Sequence, residues 1–176
     1  MGDSKKIKSI LRVNHAGELG ARQIYKGMRK ILGDDPDLVL MANQEEEHLK
    51  MFTQLMIEHK VKPTIFQPFW HVLSYGMGAV TALMGKQAAH ACTIAVEEVI
   101  VDHYQSQIDS LANSPEHKPL MDIIDKFKKE EDHHREIAEL GGGKDALGYN
   151  VLEKVVKSIT KAAIRISTRV LRRKVL

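Results

Sequence analysis

The sequence predicts an all-α fold: a four-helix bundle with an additional C-terminal amphipathic helix and one short apolar connecting segment. Three observations predict it. Proline and glycine fall largely in clusters, and between the clusters the chain reads as helices. Within those stretches apolar residues recur at steps of three and four, the spacing of one helix face. No stretch shows sustained alternation of β-branched residues, so no strand is expected. At 176 residues, 43% hydrophobic and 28% charged, the chain has the size and composition of one globular domain and is too apolar for disorder. We expect residues 1–176 to form that single domain, with a core over about residues 4–140 and the extra helix over about residues 145–174.

The elements follow in order. A first helix runs roughly from Ser4 to Leu32 and stops at Gly33-Asp34-Asp35-Pro36. Asp35 is the N-cap of a second helix, with Pro36 at its first position, and that helix fades before Pro63. The apolar connection spans Pro63 to Trp70. A long third helix then runs through Gly76 and Gly78 to about Ala112. Ser114-Pro115-Glu116 repeats the cap-plus-proline signature and opens a fourth helix that ends at Gly141-Gly142-Gly143. Asp145 caps the fifth.

Several function classes are excluded early. Cys92 is the only cysteine, so internal disulfides, zinc ribbons and Cys-ligated iron–sulfur clusters are out. No glycine-rich loop sits between a strand and a helix, which argues against nucleotide-binding folds. The polar start, Met1 to Lys6, lacks the apolar core of a signal peptide, and we expect a reducing compartment. From Glu153 onward there are eight Lys or Arg against that one acid, while the rest of the chain carries 18 basic and 22 acidic residues. An acidic body thus bears a basic C-terminal segment suited to anionic lipid, nucleic acid or an acidic partner.

Each of the first four helices carries a core-facing stripe that turns polar near its middle. The stripes read Leu11, Asn14, Glu18, Ala21, Tyr25, Met28; then Leu38, Met41, Glu45, His48, Phe52, Leu55; then His90, Ile94, Glu97, Val101, Tyr104; and finally Leu120, Ile124, Phe127, Glu131, His134, Ala138. Four buried carboxylates are untenable without cations to neutralise them. Glu and His three apart on a helix share a face, about 4.5 Å apart along the axis, and can reach one ion. The order Glu, Glu-x-x-His, Glu, Glu-x-x-His is that of the di-iron or di-manganese site of ferritin-like bundles. Mixed carboxylate and imidazole donors suit Fe or Mn, whereas an all-oxygen set suits Mg or Ca.

A single Glu-x-x-His pair means little, and a solvated face is the default for a run such as Glu45-Glu46-Glu47. Register carries the signal, since all four sites fall on core stripes. Glu46, Glu47 and Glu98 lie off them. On the fourth helix, Glu130 with His133 overlaps Glu131 with His134; the second register extends back to Phe127 and Ile124, the first to Lys126, so Glu131 and His134 are preferred. An internal duplication places Tyr25 seven after Glu18 and Tyr104 seven after Glu97. Tyr104 is either core packing or a redox or gating group, with His103 beside it as a candidate relay partner. His15, three before Glu18, either hydrogen-bonds a ligand or is a structural histidine.

The segment Leu11-Arg12-Val13-Asn14-His15-Ala16-Gly17-Glu18-Leu19-Gly20-Ala21 resembles the opening motif of the demethoxyubiquinone hydroxylases, the di-iron monooxygenases of ubiquinone biosynthesis. So do Gln44 to Lys50, Val61 through Trp70, and Ala91 to Glu98 with His103-Tyr104; the likeness covers about Leu11 to Leu171. Asn14 departs from the family's usual Asp, and Asp132-His133 makes the fourth motif less regular. The resemblance implies that Glu18, Glu45, His48, Glu97, Glu131 and His134 bind two iron ions, with manganese as the alternative. It also implies O2-dependent hydroxylation of the ring of a polyprenyl demethoxy-quinol, with electrons ultimately from NADH. The other classes considered are a ferritin-like ferroxidase and a di-iron tRNA hydroxylase.

A polyprenyl substrate implies peripheral contact with the cytoplasmic membrane's inner face or the mitochondrial inner membrane, and a lipid-binding or biosynthetic-complex partner protein. The apolar stretch from Gly76 to Val101 is broken by Lys86, Gln87, His90, Glu97 and Glu98, so no transmembrane helix is expected. Phe66, Phe69 and Trp70 suit an interfacial anchor. The fifth helix sets Val155, Val156, Ile159, Ala162, Ile166 and Val170 against Lys154, Lys157, Lys161, Arg165, Arg169, Arg172, Arg173 and Lys174. With aromatics at 5%, stacking platforms are few and nucleic acid is not expected.

Overall fold

The computed structural model of the chain describes residues 2–169. Six helices follow in order: α1 (Gly2–Leu32), α2 (Pro36–Glu58), α3 (Gln67–Leu83), α4 (Lys86–Leu111), α5 (Lys118–Leu140) and α6 (Tyr149–Arg169). No strand occurs among the described residues. The fold is all-α, and its helix order is consistent with a ferritin-like bundle carrying an extra C-terminal helix. Val170 and Arg172 to Lys174, which the sequence places on the basic amphipathic helix, lie outside the described residues, as does the Arg169 side chain.

The Asp35 cap forms as expected. Its Oδ1 accepts from the Asp37 amide at 3.1 Å, and Pro36 occupies the first turn of α2. Four expectations need correction. The long third helix is two helices, because Gly85 adopts φ 111°, a conformation that ends α3 and that L side chains rarely take. The Ser114-Pro115 signature opens a single 3₁₀ turn, Pro115–His117, before α5 begins at Lys118. Ser114 makes no side-chain cap bond there. The last helix starts at Tyr149 and not at Asp145, which ends a 3₁₀ turn, Gly143–Asp145; Gly148 at φ 72° then turns the chain into α6. The apolar connection is also shorter than expected, because α3 already begins at Gln67.

The described residues form two compact units, one comprising the chain up to Gly85 and from Ile159 onward, the other Lys86–Ser158. In the first unit α1 packs against both α2 and α3. Leu11, Tyr25, Met28, Leu38, Met41 and Phe52 are fully buried, each large side chain contributing about 1.5–3 kcal/mol. Tyr25 Oη donates to Met41 Sδ at 3.6 Å. Against α3 the backbones themselves touch: a Cβ on Gly78 would overlap the Ile24 carbonyl, and one on Gly27 would meet the Ala79 amide at 2.8 Å. Gly78, which the sequence reading carries through a helix without a stated role, permits this approach.

In the second unit α4 packs on α5. Every residue from Ala88 to Glu97 is buried, so this part of α4 has no solvent face. The glycine run after α5 folds over it, since a Cβ on Gly141 would lie 2.7 Å from His90 Nε2 and one on Gly143 2.6 Å from Ile94 Cδ1. Ala88, Ala91 and Ala146 form a small cluster with Tyr149 and Leu152. Lys157 of α6 pairs with Glu98 and, at 2.8 Å, with Glu153.

Candidate metal centre

Each unit holds one Glu, Glu, His triad. In the first, Glu18 comes from α1 and the Glu45 and His48 pair from one face of α2. They are 2%, 0% and 1% exposed, and each offers a ligand atom within 4.8 Å of the others. His48 Nδ1 lies 3.5 Å from Glu18 Oε2. In the second, Glu97 comes from α4, and Glu131 and His134 from α5. These are 1%, 1% and 0% exposed, again with ligand atoms mutually within 4.8 Å. His134 Nδ1 lies 3.0 Å from Glu131 Oε2.

Two ionised carboxylates at such a separation repel by about 3 kcal/mol even at an effective dielectric of 20. Burial adds a desolvation cost to each. A divalent cation reverses both terms, and the N/O donor mixture fits iron or manganese. The donor chemistry therefore fits the implied ions. On α5 the overlapping pair sits differently: Glu130 is half-buried and paired with Lys126 at 3.6 Å, and His133 is exposed against Glu136 at 3.4 Å. The off-stripe acids are otherwise occupied. Glu46 pairs with Arg22 at 3.2 Å, Glu98 with Lys157, and Glu47 faces solvent.

Tyr104 is buried, and its ring stacks on that of His103 with centroids 6.5 Å apart. His103 Nε2 lies 2.7 Å from Gln107 Nε2. Burial pulls the pKa of His103 below the usual histidine range, and that of His15 likewise.

Sequence reasoning passed over two buried polar residues of the second unit. Gln107 sits four after His103, a spacing that alone places the two side by side. Thr93 sits four before Glu97 and is 1% exposed, but a threonine among alanines gives no signal in a hydropathy stripe.

The family described as ubiquinone biosynthesis protein COQ7 matches residues 5–167. The chain belongs to that family. Among COQ7-family relatives, the bovine (Bos taurus) NADPH-dependent 3-demethoxyubiquinone 3-hydroxylase, mitochondrial, is 43% identical over 168 residues, covering 93% of this chain and 77% of that protein. The 3-demethoxyubiquinol 3-hydroxylase of Rhodospirillum rubrum is 42% identical over 168 residues, with 93% and 78% covered. The 5-demethoxyubiquinone hydroxylase, mitochondrial, of Saccharomyces cerevisiae is 35% identical over 176 residues, with 90% and 76% covered. As a COQ7-family member, the chain has a hydroxylase role in ubiquinone biosynthesis.

Proposed function

We propose that this chain is a di-iron monooxygenase that hydroxylates the ring of a polyprenyl demethoxy-quinol with O2. The carrying observation is the pair of buried Glu, Glu, His triads in a COQ7-family chain. Glu18, Glu45, His48, Glu97, Glu131 and His134 together would hold two iron ions, with manganese as the alternative. When bound, two ferrous ions supply the electrons and Lewis acidity that O2 needs. The residues do the rest. Carboxylates offer two oxygens each and so adapt to a change in ion charge, while imidazoles fix position. Leu11, Met41, Phe52, Ile94, Ile124 and Phe127 on the same stripes are buried and exclude water. His103 Nε2 lies 2.7 Å from Gln107 Nε2, and the tautomer protonated at Nδ1 accepts that amide N–H; the Tyr104 ring stacks on the imidazole. Those two are the groups suited to pass a proton toward the site.

The electron source is a nicotinamide nucleotide. The sequence reading expects NADH, whereas the bovine relative is named NADPH-dependent. That relative is also named as mitochondrial, and the reading for this chain is peripheral attachment to a quinone-bearing inner membrane. No helix among the described residues is long and apolar enough to cross a membrane. Two exposed surfaces suit an interface instead. Phe69, Val72, Val80 and Leu83 line one outer face of α3, a helix without a charged residue. On α6, exposed Val151, Val155, Ala162 and Ile166 run beside exposed Lys154, Lys161 and Arg165. The expected anchor is thereby revised: Trp70 is buried, with its ring centroid 5.0 Å from that of Phe69. Lys157 leaves the basic face for its pairs with Glu98 and Glu153.

The test is aerobic turnover of iron-loaded protein with a demethoxyquinone, NADH or NADPH and ¹⁸O2, read by mass spectrometry. One labelled oxygen in the ring supports the reading. Oxidation of iron with no ring product overturns it in favour of a ferroxidase.

A further inference from the structure

Thr93 forgoes the hydrogen bond that other helical threonines of this chain make. Thr53, Thr81 and Thr168 each donate from Oγ1 to the carbonyl four residues back: Leu49 at 2.6 Å, Met77 at 2.9 Å and Ile164 at 2.8 Å. Such back-bonding is the ordinary fate of a helical threonine hydroxyl. Thr93 is 1% exposed, yet its Oγ1 has no hydrogen-bond partner. A buried hydroxyl with no protein partner has its hydrogen-bonding capacity open to a ligand.

Its place on α4 says what kind. Thr93, Glu97 and Tyr104 follow at steps of four and seven, one ridge of the helix, so the hydroxyl sits one turn before the Glu97 carboxylate. On the same ridge Ala89 and Val96 are buried and apolar, and His90 and Glu97 are buried beside them; a second anion next to the Glu97 carboxylate would be repelled, so a neutral ligand fits. We propose that Thr93 Oγ1 is the hydrogen-bond partner of a ring oxygen of the quinone substrate, a specificity contact that rests on the substrate reading above. A hydroxyl donates to a quinone carbonyl and accepts from a quinol hydroxyl, so one side chain serves both redox forms without a buried charge. Valine has the same shape and can do neither.

The test compares the parent with Thr93→Val, Thr93→Ser and Thr93→Ala, all iron-loaded. Binding of a short-tailed, water-soluble methoxy-benzoquinone is followed by equilibrium dialysis, with iron content and melting temperature measured beside it. Thr93→Val and Thr93→Ala should bind about tenfold more weakly, and Thr93→Ser within about twofold of the parent. Iron content should not change, and the melting temperature of ligand-free Thr93→Val should match or exceed the parent's. Equal binding by parent, Thr93→Val and Thr93→Ala overturns the contact while leaving the substrate reading intact. A drop in melting temperature with binding unchanged overturns it in favour of a structural hydroxyl. A parent that binds no quinone overturns the substrate reading, and this inference with it.

Discussion

At the scale of single residues, burial separates groups that look alike in the sequence. Glu131 and His134 are buried while Glu130 is half-buried and His133 exposed, so Glu131→Ala and His134→Ala should each cut turnover by at least a hundredfold. Glu130→Ala and His133→Ala should stay within about threefold, the scale of a surface ion pair. Steady-state kinetics on the four variants checks this, and reversed severities would assign coordination to the other register. Two histidines outside the triads, His15 and His103, give a pH prediction. Burial holds His103 and His15 below the ordinary histidine value of about 6.5. The unfolded chain therefore binds protons at higher pH than the folded one, and these groups make stability fall as pH drops below about 6.5. His103→Gln should show a shallower loss of denaturation midpoint between about pH 7 and pH 5 than the parent; parallel profiles would show that His103 contributes nothing to it. The ligand candidates were legible because their spacing is fixed by the helix repeat. Thr93 and Gln107 were not, since a small or neutral polar residue does not interrupt a stripe and only its hydrogen bonds reveal it.

At the scale of elements, most helices were readable because caps and proline act locally. Asp35-Pro36 opens α2 where expected. The errors fall where a local signal has two outcomes. Gly76 and Gly78 continue α3 while Gly85 ends it, and the difference lies in backbone conformation and in what packs nearby, neither of which the sequence displays. The contact with Ile24 makes Gly78→Ala costly, by about 1–3 kcal/mol. Its melting temperature should fall by several degrees; an unchanged value would mean that α1 and α3 separate freely. The division of basic residues on α6 also carries a prediction. Lys154, Lys161 and Arg165 are exposed, and each contributes about 1 kcal/mol near an anionic surface. Changing all three to Gln should weaken binding to anionic vesicles by about a hundredfold. Lys157→Gln should leave vesicle binding within about twofold, because that side chain already pairs with Glu98 and Glu153. Sedimentation with vesicles distinguishes the two. Equal losses would make α6 a uniform basic face.

At the scale of the whole molecule, the class of fold and the chemistry were legible together, for the same reason. Stripes at steps of three and four require helices, and carboxylates at the middle of those stripes require cations. How the chain divides was less so. The duplicated Glu then Glu-x-x-His order hinted at two halves, and the two compact units each contain one such set, with boundaries after Gly85 and after Ser158. The proposed chemistry requires both triads to hold metal. Anaerobic titration with ferrous iron tests that most directly, with the parent set beside Glu45→Ala from one triad and Glu97→Ala from the other. The parent should bind two ions per chain and each variant one or none. A parent that binds no iron, or variants that still bind two, would contradict the proposed chemistry.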